Sequence, residues 1–234
     1  MKKKFQKPIC IIPARAGSKR IKNKNIINFF GKPLIYYSIK VALDSKIFSR
    51  VVVTTDCQKI ARISIKFGAE VPFIRSKKFS NDTVGIKEVI HDCIKKIGSQ
   101  NIKYHFLLYA TNPLIKSIFL KKAYAKILKL KYNFLLGVKK FETYPYKALD
   151  ISNNRIFYKF KKEILKNSQN YRQLYYDDGS FSIFETRSYL RRKFFFSNKS
   201  TFFLHEKNQS HDLNTKEDLA MLKKIYLVNN TPKN

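Results

Sequence analysis

Residues 9–26, ICIIPARAGSKRIKNKNI, run an apolar stretch straight into a loop that sets one glycine, Gly17, among Arg15, Lys19, Arg20, Lys22 and Lys24. A residue without a Cβ lets backbone N–H groups come close to an anion, and guanidinium and ammonium groups beside it neutralise several charges at once. The chemistry suits phosphate. Arg15 and Lys19 can hold a polyphosphate and follow charge as it moves onto a leaving group. The spacing is neither a GxxxxGK[ST] phosphate loop nor a GxGxxG dinucleotide fingerprint, and a basic loop after a strand is, taken alone, also the description of a solvated turn.

Such a loop works only if a scaffold aims it, and the rest of the chain predicts one. Strand-like apolar runs alternate with segments of helical period, the pattern of an α/β fold whose mostly parallel, twisted sheet is flanked by helices, Rossmann-like in architecture. Ile9 to Ile12 reads as the first strand, and ligands of open α/β sheets bind beyond the carboxyl ends of strands, where the basic loop begins. Pro33 stands where a first-turn proline belongs, with Leu34, Ile35, Ile39 and Ala42 on one face of the helix that follows. Val51 to Thr55 is the next strand, followed by a helix through Ile60, Ile63 and Phe67 that Gly68 ends. Asp82 or Thr83 is expected to cap a helix whose apolar positions are Ile86, Val89, Ile90, Cys93, Ile94 and Ile97. Phe106 to Tyr109 and Phe134 to Val138 read as strands on either side of a helix capped by Ser117, with Leu120, Ala123, Tyr124, Ile127 and Leu128 inward.

From about residue 142 to 172 the periodicity is lost, and Tyr144, Tyr146, Phe157, Tyr158 and Phe160 are interspersed with lysines. The segment reads either as an aromatic arm that packs on a second subunit or as an irregular insertion. Regularity resumes at Gly179 to Phe184, and the chain closes with a helix after HDLNTKEDL, where Asn214 and Glu217 have capping-box spacing.

A length of 234 residues suits one domain, residues 1–234, with 142–172 as its arm. The hydrophobic fraction of 44% and charged fraction of 27% are those of a globular protein, and no apolar run is long enough to cross a bilayer. The basic start, MKKKFQKP, is followed by an apolar stretch that Pro13 breaks too soon for a signal-peptide core, which predicts a cytoplasmic protein. Cys10, Cys57 and Cys93 stand far apart without metal-ligand spacing and read as reduced core residues. The net charge of +32 raises nucleic-acid binding as a rival reading. Against it, the lysines are scattered over the chain, in pairs such as Lys95-Lys96, Lys121-Lys122 and Lys223-Lys224, so no dedicated nucleic-acid partner is expected.

The full string IIPARAGSKRIKNKNI resembles the N-terminal signature of the acylneuraminate cytidylyltransferase family, nucleotidyltransferases that make CMP-activated nonulosonic acids. Further similar motifs follow in the same order: VVVTTD at 51–56, GAEVPFIRS at 68–76, LLYATNPL at 107–114, YPYKAL at 144–149, DDGSF at 177–181 and HDLNTKEDL at 211–219. Within the family, VPFIR, SNDT, Tyr109 and the SQ before YYDDGSF are most similar to the branch that uses pseudaminic acid. The branches for N-acetylneuraminate and legionaminate are the nearest alternatives.

The resemblance implies that CTP and a nonulosonic acid give a CMP-sugar and pyrophosphate, with Mg2+ as cofactor and a homodimer as the working unit. It assigns Arg15, Lys19 and Asp212 to catalysis and Ala14, Gly17, Ser18, Lys24, Asn25, Arg75 and Asp82 to the nucleotide. Tyr109, Lys147, Gln169 and Asp177 fall at positions that face the acceptor sugar. Asp212 matches an acidic metal ligand, whereas Asn214 stands where many members carry a second aspartate; its carbonyl can still bind a hard cation, and its alternative role is a helix cap.

Overall fold

The computed structural model describes residues 6–191 and 196–231; residues 1–5, the start of the basic stretch, lie outside the described residues. The strands are β1 (Ile9–Pro13), β2 (Asn28–Phe29), β3 (Lys32–Pro33), β4 (Arg50–Thr54), β5 (Tyr104–Leu108), β6 (Phe134–Lys140), β7 (Leu149–Ser152), β8 (Arg155–Tyr158), β9 (Tyr175–Glu185) and β10 (Ser200–Leu204). The helices are α1 (Ile35–Ser45), α2 (Gln58–Lys66), α3 (Ile86–Lys96), α4 (Ser117–Leu130), α5 (Lys161–Ile164), α6 (Thr186–Arg191) and α7 (Lys216–Asn230).

Six strands form one sheet in the order β10-β6-β9-β5-β1-β4. β1 lies parallel to both β4 and β5, and β10 is parallel to β6, while β9 runs antiparallel between β5 and β6. The sheet is therefore mostly parallel with one reversed strand inside it. The chain leaves β1 for β4 on one side and returns to β5 on the other, which makes β1 the switch point at which α/β sheets open a crevice.

Alternate side chains of β1 feed two cores, as the two-residue strand period requires. Cys10 and Ile12 pack with Ile35, Ile39 and Ala42 of α1 and Leu120, Ala123 and Ile127 of α4. Ile9 and Ile11 pack with Ile90, Cys93 and Ile94 of α3. Burial on both faces is why β1, β4 and β5 read as unbroken apolar runs. A third cluster joins Ile21, Phe29 and Leu34 to Leu114, Leu213 and Leu222, so the basic loop and the segment before α7 share one apolar anchor.

Local chemistry departs from expectation in several places. Pro33 lies in β3, paired with Asn28, and not in the first turn of α1. Gly85, not Asp82 or Thr83, occupies the cap position of α3. Ser117 begins α4 without capping it through its side chain. α7 has a complete capping box, but it is built by Thr215 and Asp218, one residue beyond the Asn214–Glu217 spacing. β9 begins at Tyr175, four residues before Gly179. Gly68, at φ +90°, does terminate α2.

The 142–172 segment is regular. β7 and β8 form a hairpin whose turn places both Asn153 and Asn154 at positive φ, a conformation asparagine tolerates better than most residues. Its apolar side chains lack cover among the described residues: Ile151 is 72% exposed, Ile156 65% and Leu165, just beyond α5, 86%.

Candidate active site

The carboxyl ends of β1 and β5 open into a cleft of about 310 Å3, a size typical of small-ligand sites. Arg15, Ser18, Lys19, Arg20, Lys24 and Asn25 line it from the basic loop, Arg75, Asn81 and Asp82 from the segment before α3, Tyr109, Ala110 and Thr111 from the end of β5, and Asn214 from the segment before α7.

The loop is held by bonds that its sequence supplies. Ala16 N donates to Asp56 Oδ1 at 2.9 Å, Asn25 Nδ2 donates to the Arg15 carbonyl at 2.8 Å, and Lys24 Nζ donates to the Leu213 carbonyl at 2.8 Å. Asn25 is buried, so this bond also satisfies a polar group withdrawn from water. A Cβ at Gly17 would meet nothing within 4 Å; glycine there leaves open space and answers no steric demand of the free protein.

The cations already hold an anion. Arg15 Nη1 stands 2.7 Å from Asp82 Oδ1, Lys19 Nζ 2.7 Å from Asp82 Oδ2, and Arg15 Nη1 also donates to the Asn81 carbonyl at 3.1 Å. The hydrogen bonds from Lys19 and then Arg15 hold the Asp82 carboxyl below the usual carboxylate range. Behind them, Arg75 is buried, its guanidinium donating to Ser80 Oγ at 3.1 Å and the Thr54 carbonyl at 3.3 Å. Burial lowers the pKa of Arg75, and burial together with the charges of Arg20 and Arg15 outweighs the pull of Asp212 and lowers that of Lys24.

Opposite the cations lie the acids. Gly179, at φ +63°, is pressed so closely on Asp212 that an added Cβ would stand 2.8 Å from Asp212 Cγ. Partial withdrawal from water, then the charges of Asp178 and Asp212, raise the Asp177 carboxyl, against a bond from Gly179 N. Burial, then Asp177 and Asp212, push the Tyr109 hydroxyl up to about 12, so it stays protonated. Asp178 is buried against His205, with 2.6 Å between Oδ2 and Nδ1, and also accepts from Ser180 Oγ at 2.5 Å. Burial alone would raise Asp178, but the bonds from His205 and Ser180 leave it below the ordinary range. This pair ties the end of β10 to β9 beneath the acidic turn.

The single chain thus assembles Arg15, Ser18, Lys19, Lys24, Asn25, Arg75, Asp82, Tyr109 and Asn214 around one cleft, with Ala14 buried directly beneath it at the end of β1 and Asp212 and Asp177 beside Tyr109. Lys147 and Gln169 are not among the residues lining it; both are exposed on the arm. Arg20, Asp56, Thr111 and Gly179 are structural members of the site that the sequence did not single out. Asp56 ends the VVVTTD run beside β1, and that adjacency was the available signal.

A divalent cation fits the donors present. Asp212 Oδ2 accepts from Asn214 Nδ2 at 2.6 Å, while among the described residues Oδ1 has only the long contact from Thr111 Oγ1 at 3.5 Å and can accept a further partner. Magnesium commonly takes one or two carboxylates and completes its shell with substrate phosphates and water. Asn214 Oδ1 accepts from Arg20 Nη2 at 2.8 Å, which takes up one of the two acceptor positions of its amide oxygen. Among the described residues no group of three or more His, Cys, Asp or Glu forms a ready-made metal cage.

A basic cleft at the switch point of a largely parallel sheet defines a nucleotide-binding α/β protein. A family model described as cytidylyltransferase matches residues 9–229, and the chain belongs to that family. It is 39% identical over 226 residues to the pseudaminic acid cytidylyltransferase of Campylobacter jejuni subsp. jejuni, covering 95% of this chain and 97% of that one. It is 29% identical to the CMP-N,N'-diacetyllegionaminic acid synthase of Legionella pneumophila, over 94% of this chain and 97% of that one. Among solved structures, a CMP:2-keto-3-deoxy-manno-octonic acid synthetase complexed with CTP superposes with a TM-score of 0.70 at 14% identity, covering 96% of this chain and all of that one, a likeness of fold.

Proposed function

We propose that this protein transfers CMP from CTP to pseudaminic acid, giving CMP-pseudaminic acid and pyrophosphate, and so supplies activated sugar for a surface glycan or flagellin. The observation that carries this reading is the near-full-length likeness to the Campylobacter jejuni enzyme, joined to a cleft whose cations already grip a carboxylate.

In the reaction the sugar's anomeric hydroxyl gives up its proton to water as its oxygen attacks the α-phosphorus in line, the bond to the bridging oxygen breaks, and pyrophosphate leaves with the charge. Such chemistry depends on positioning and neutralisation. Arg15 and Lys19 exchange Asp82 for triphosphate oxygens, and Lys19, the more exposed of the two, follows the charge onto the leaving group. Asn25 and Lys24 fix the nucleoside end of the loop, and the protonated Tyr109 hydroxyl faces the acceptor. Mg2+ would be held by Asp212 together with the triphosphate, where it screens the repulsion between phosphates.

The working unit is a homodimer in which the arm covers the apolar side chains of its hairpin on a partner and brings Lys147 and Gln169 to the partner's acceptor side. No described helix is long and apolar enough to cross a membrane, in keeping with a cytoplasmic enzyme fed by CTP. Pyrophosphate release that requires both CTP and sugar tests the reaction class: release with CTP but not with ATP, GTP or UTP is expected, and release independent of sugar overturns it.

A further inference from the structure

Arg20 lines the cleft, and its Nη2 donates to Asn214 Oδ1 at 2.8 Å; Asn214 Nδ2 in turn donates to Asp212 Oδ2 at 2.6 Å. Chemistry fixes the direction of this chain of bonds. A guanidinium only donates and an ionised carboxylate only accepts, so the amide between them must turn its oxygen to Arg20 and its nitrogen to Asp212. Reversing the amide would lose both bonds.

The same two segments are joined again beneath the cleft. Ile21, next to Arg20, and Leu213, between Asp212 and Asn214, are buried in one apolar cluster, and Lys24 Nζ holds the Leu213 carbonyl at 2.8 Å. Backbone and side chains therefore lock the basic loop to the Asp212 segment at three points. We propose that Arg20 and Asn214 are positioning residues, a neutral amide relay through which the phosphate loop orients Asp212 and leaves its Oδ1 free. This rests on the reading of the cleft as a CTP site.

The relay accounts for an asparagine at 214. An aspartate there would set a second carboxylate against Asp212 at 2.6 Å, where like charges repel unless a proton or cation intervenes. The amide gives Asp212 a donor instead.

The test is calorimetric titration of CTP into wild type, Arg20→Ala, Asn214→Ala and the double variant, once with EDTA and once with Mn2+, without sugar. The ratio of the two dissociation constants isolates the metal's share of binding, which a general packing defect or a lost phosphate contact leaves unmoved. Partners of metal ligands typically contribute 10- to 100-fold in metal affinity. The relay predicts that the ratio falls about 10-fold in each single variant and by about the same 10-fold, not ~100-fold, in the double, because both break one chain of bonds. Arg20→Lys, which keeps a donor, restores part of it. An unchanged ratio in Arg20→Ala, or a double variant showing the product of the single losses, overturns the relay. Wild type that binds Mn2+–CTP but makes no CMP-sugar would instead overturn the proposed reaction, with the relay still decided by the binding ratios.

Discussion

The Asp82 carboxylate sits 2.7 Å from the Lys19 ammonium, and its second oxygen sits 2.7 Å from Arg15. One side chain of the protein thus occupies the charge that Arg15 and Lys19 offer, and on the proposed reading an incoming triphosphate displaces it. Exposed ion pairs are weak and yield easily, so the contact delays binding without blocking it. Asp82→Asn, which removes the competing charge, is expected to tighten CTP binding a few-fold in calorimetry, with the difference shrinking at high salt. Weaker CTP binding by the variant would show that Asp82 serves the nucleotide directly.

Lys19 is 82% exposed at its side chain and has no packing to lose. Lys19→Ala should therefore leave the thermal midpoint within about 2 °C of wild type, while lowering kcat by roughly 100-fold, the cost of one group aimed at transition-state charge. Equal rates for variant and wild type would remove Lys19 from the mechanism.

Gly179 combines positive φ with an approach that no Cβ can share: 2.8 Å to Asp212 Cγ. Gly179→Ala should destabilise the fold by about 1–2 kcal/mol in urea unfolding, for left-handed backbone strain and the clash. Because the clash falls on Asp212, activity should drop well beyond what the stability loss explains. A variant that loses stability but keeps its rate would show that Asp212 can move without consequence.

His105 is buried, with Nε2 2.9 Å from Ser99 Oγ and Nδ1 2.7 Å from Thr186 Oγ1, and burial lowers its pKa from 6.5 to about 3. Between those values the unfolded chain binds a proton that the folded chain refuses, so stability rises with pH in that window. The contribution, roughly 4–5 kcal/mol if taken in full, is complete above pH 6.5 and fades as pH falls toward 3. Urea denaturation across this range should show it, and His105→Gln should flatten the slope. An unchanged slope would place the acid sensitivity elsewhere.

The pattern of apolar runs placed β1, β4, β5, β6 and α1 to α4, because burial on both faces leaves few other places for residues such as Ile9 to Ile12, whereas β10, only partly buried, and the exposed β7–β8 hairpin gave no such signal. Strand direction was not legible in the same way: β9 is apolar enough to sit inside the sheet whichever way it runs, and only the path of the chain around it sets the antiparallel pairing. Caps were misread where side chains of the same kind stand side by side. In NTKED two overlapping pairs, Asn214–Glu217 and Thr215–Asp218, carry capping-box spacing, and backbone geometry chooses the second. Asp82 has the chemistry of a cap but is drawn away by two cations.

The site was legible where several residues had to act on one anion within a single loop, as with Arg15 and Lys19. Arg20 stayed hidden because its partner is 194 residues away and nothing in the loop marks one cation among several. Lys147 and Gln169 lie apart from the cleft on the arm, whose exposed Ile151, Ile156 and Leu165 call for a second surface. Light scattering at micromolar concentration should give a dimer, and a monomer would exclude the arm's role.

Transfer of CMP to pseudaminic acid is read out by incubating the protein with CTP, Mg2+ and, in separate reactions, pseudaminic, legionaminic and N-acetylneuraminic acids, and identifying the products by mass spectrometry. CMP-pseudaminic acid, with little or no product from the other two sugars, is the predicted result. Product from legionaminic or N-acetylneuraminic acid in place of pseudaminic acid would contradict the acceptor, and no product from any of the three by a folded protein would contradict the reaction itself.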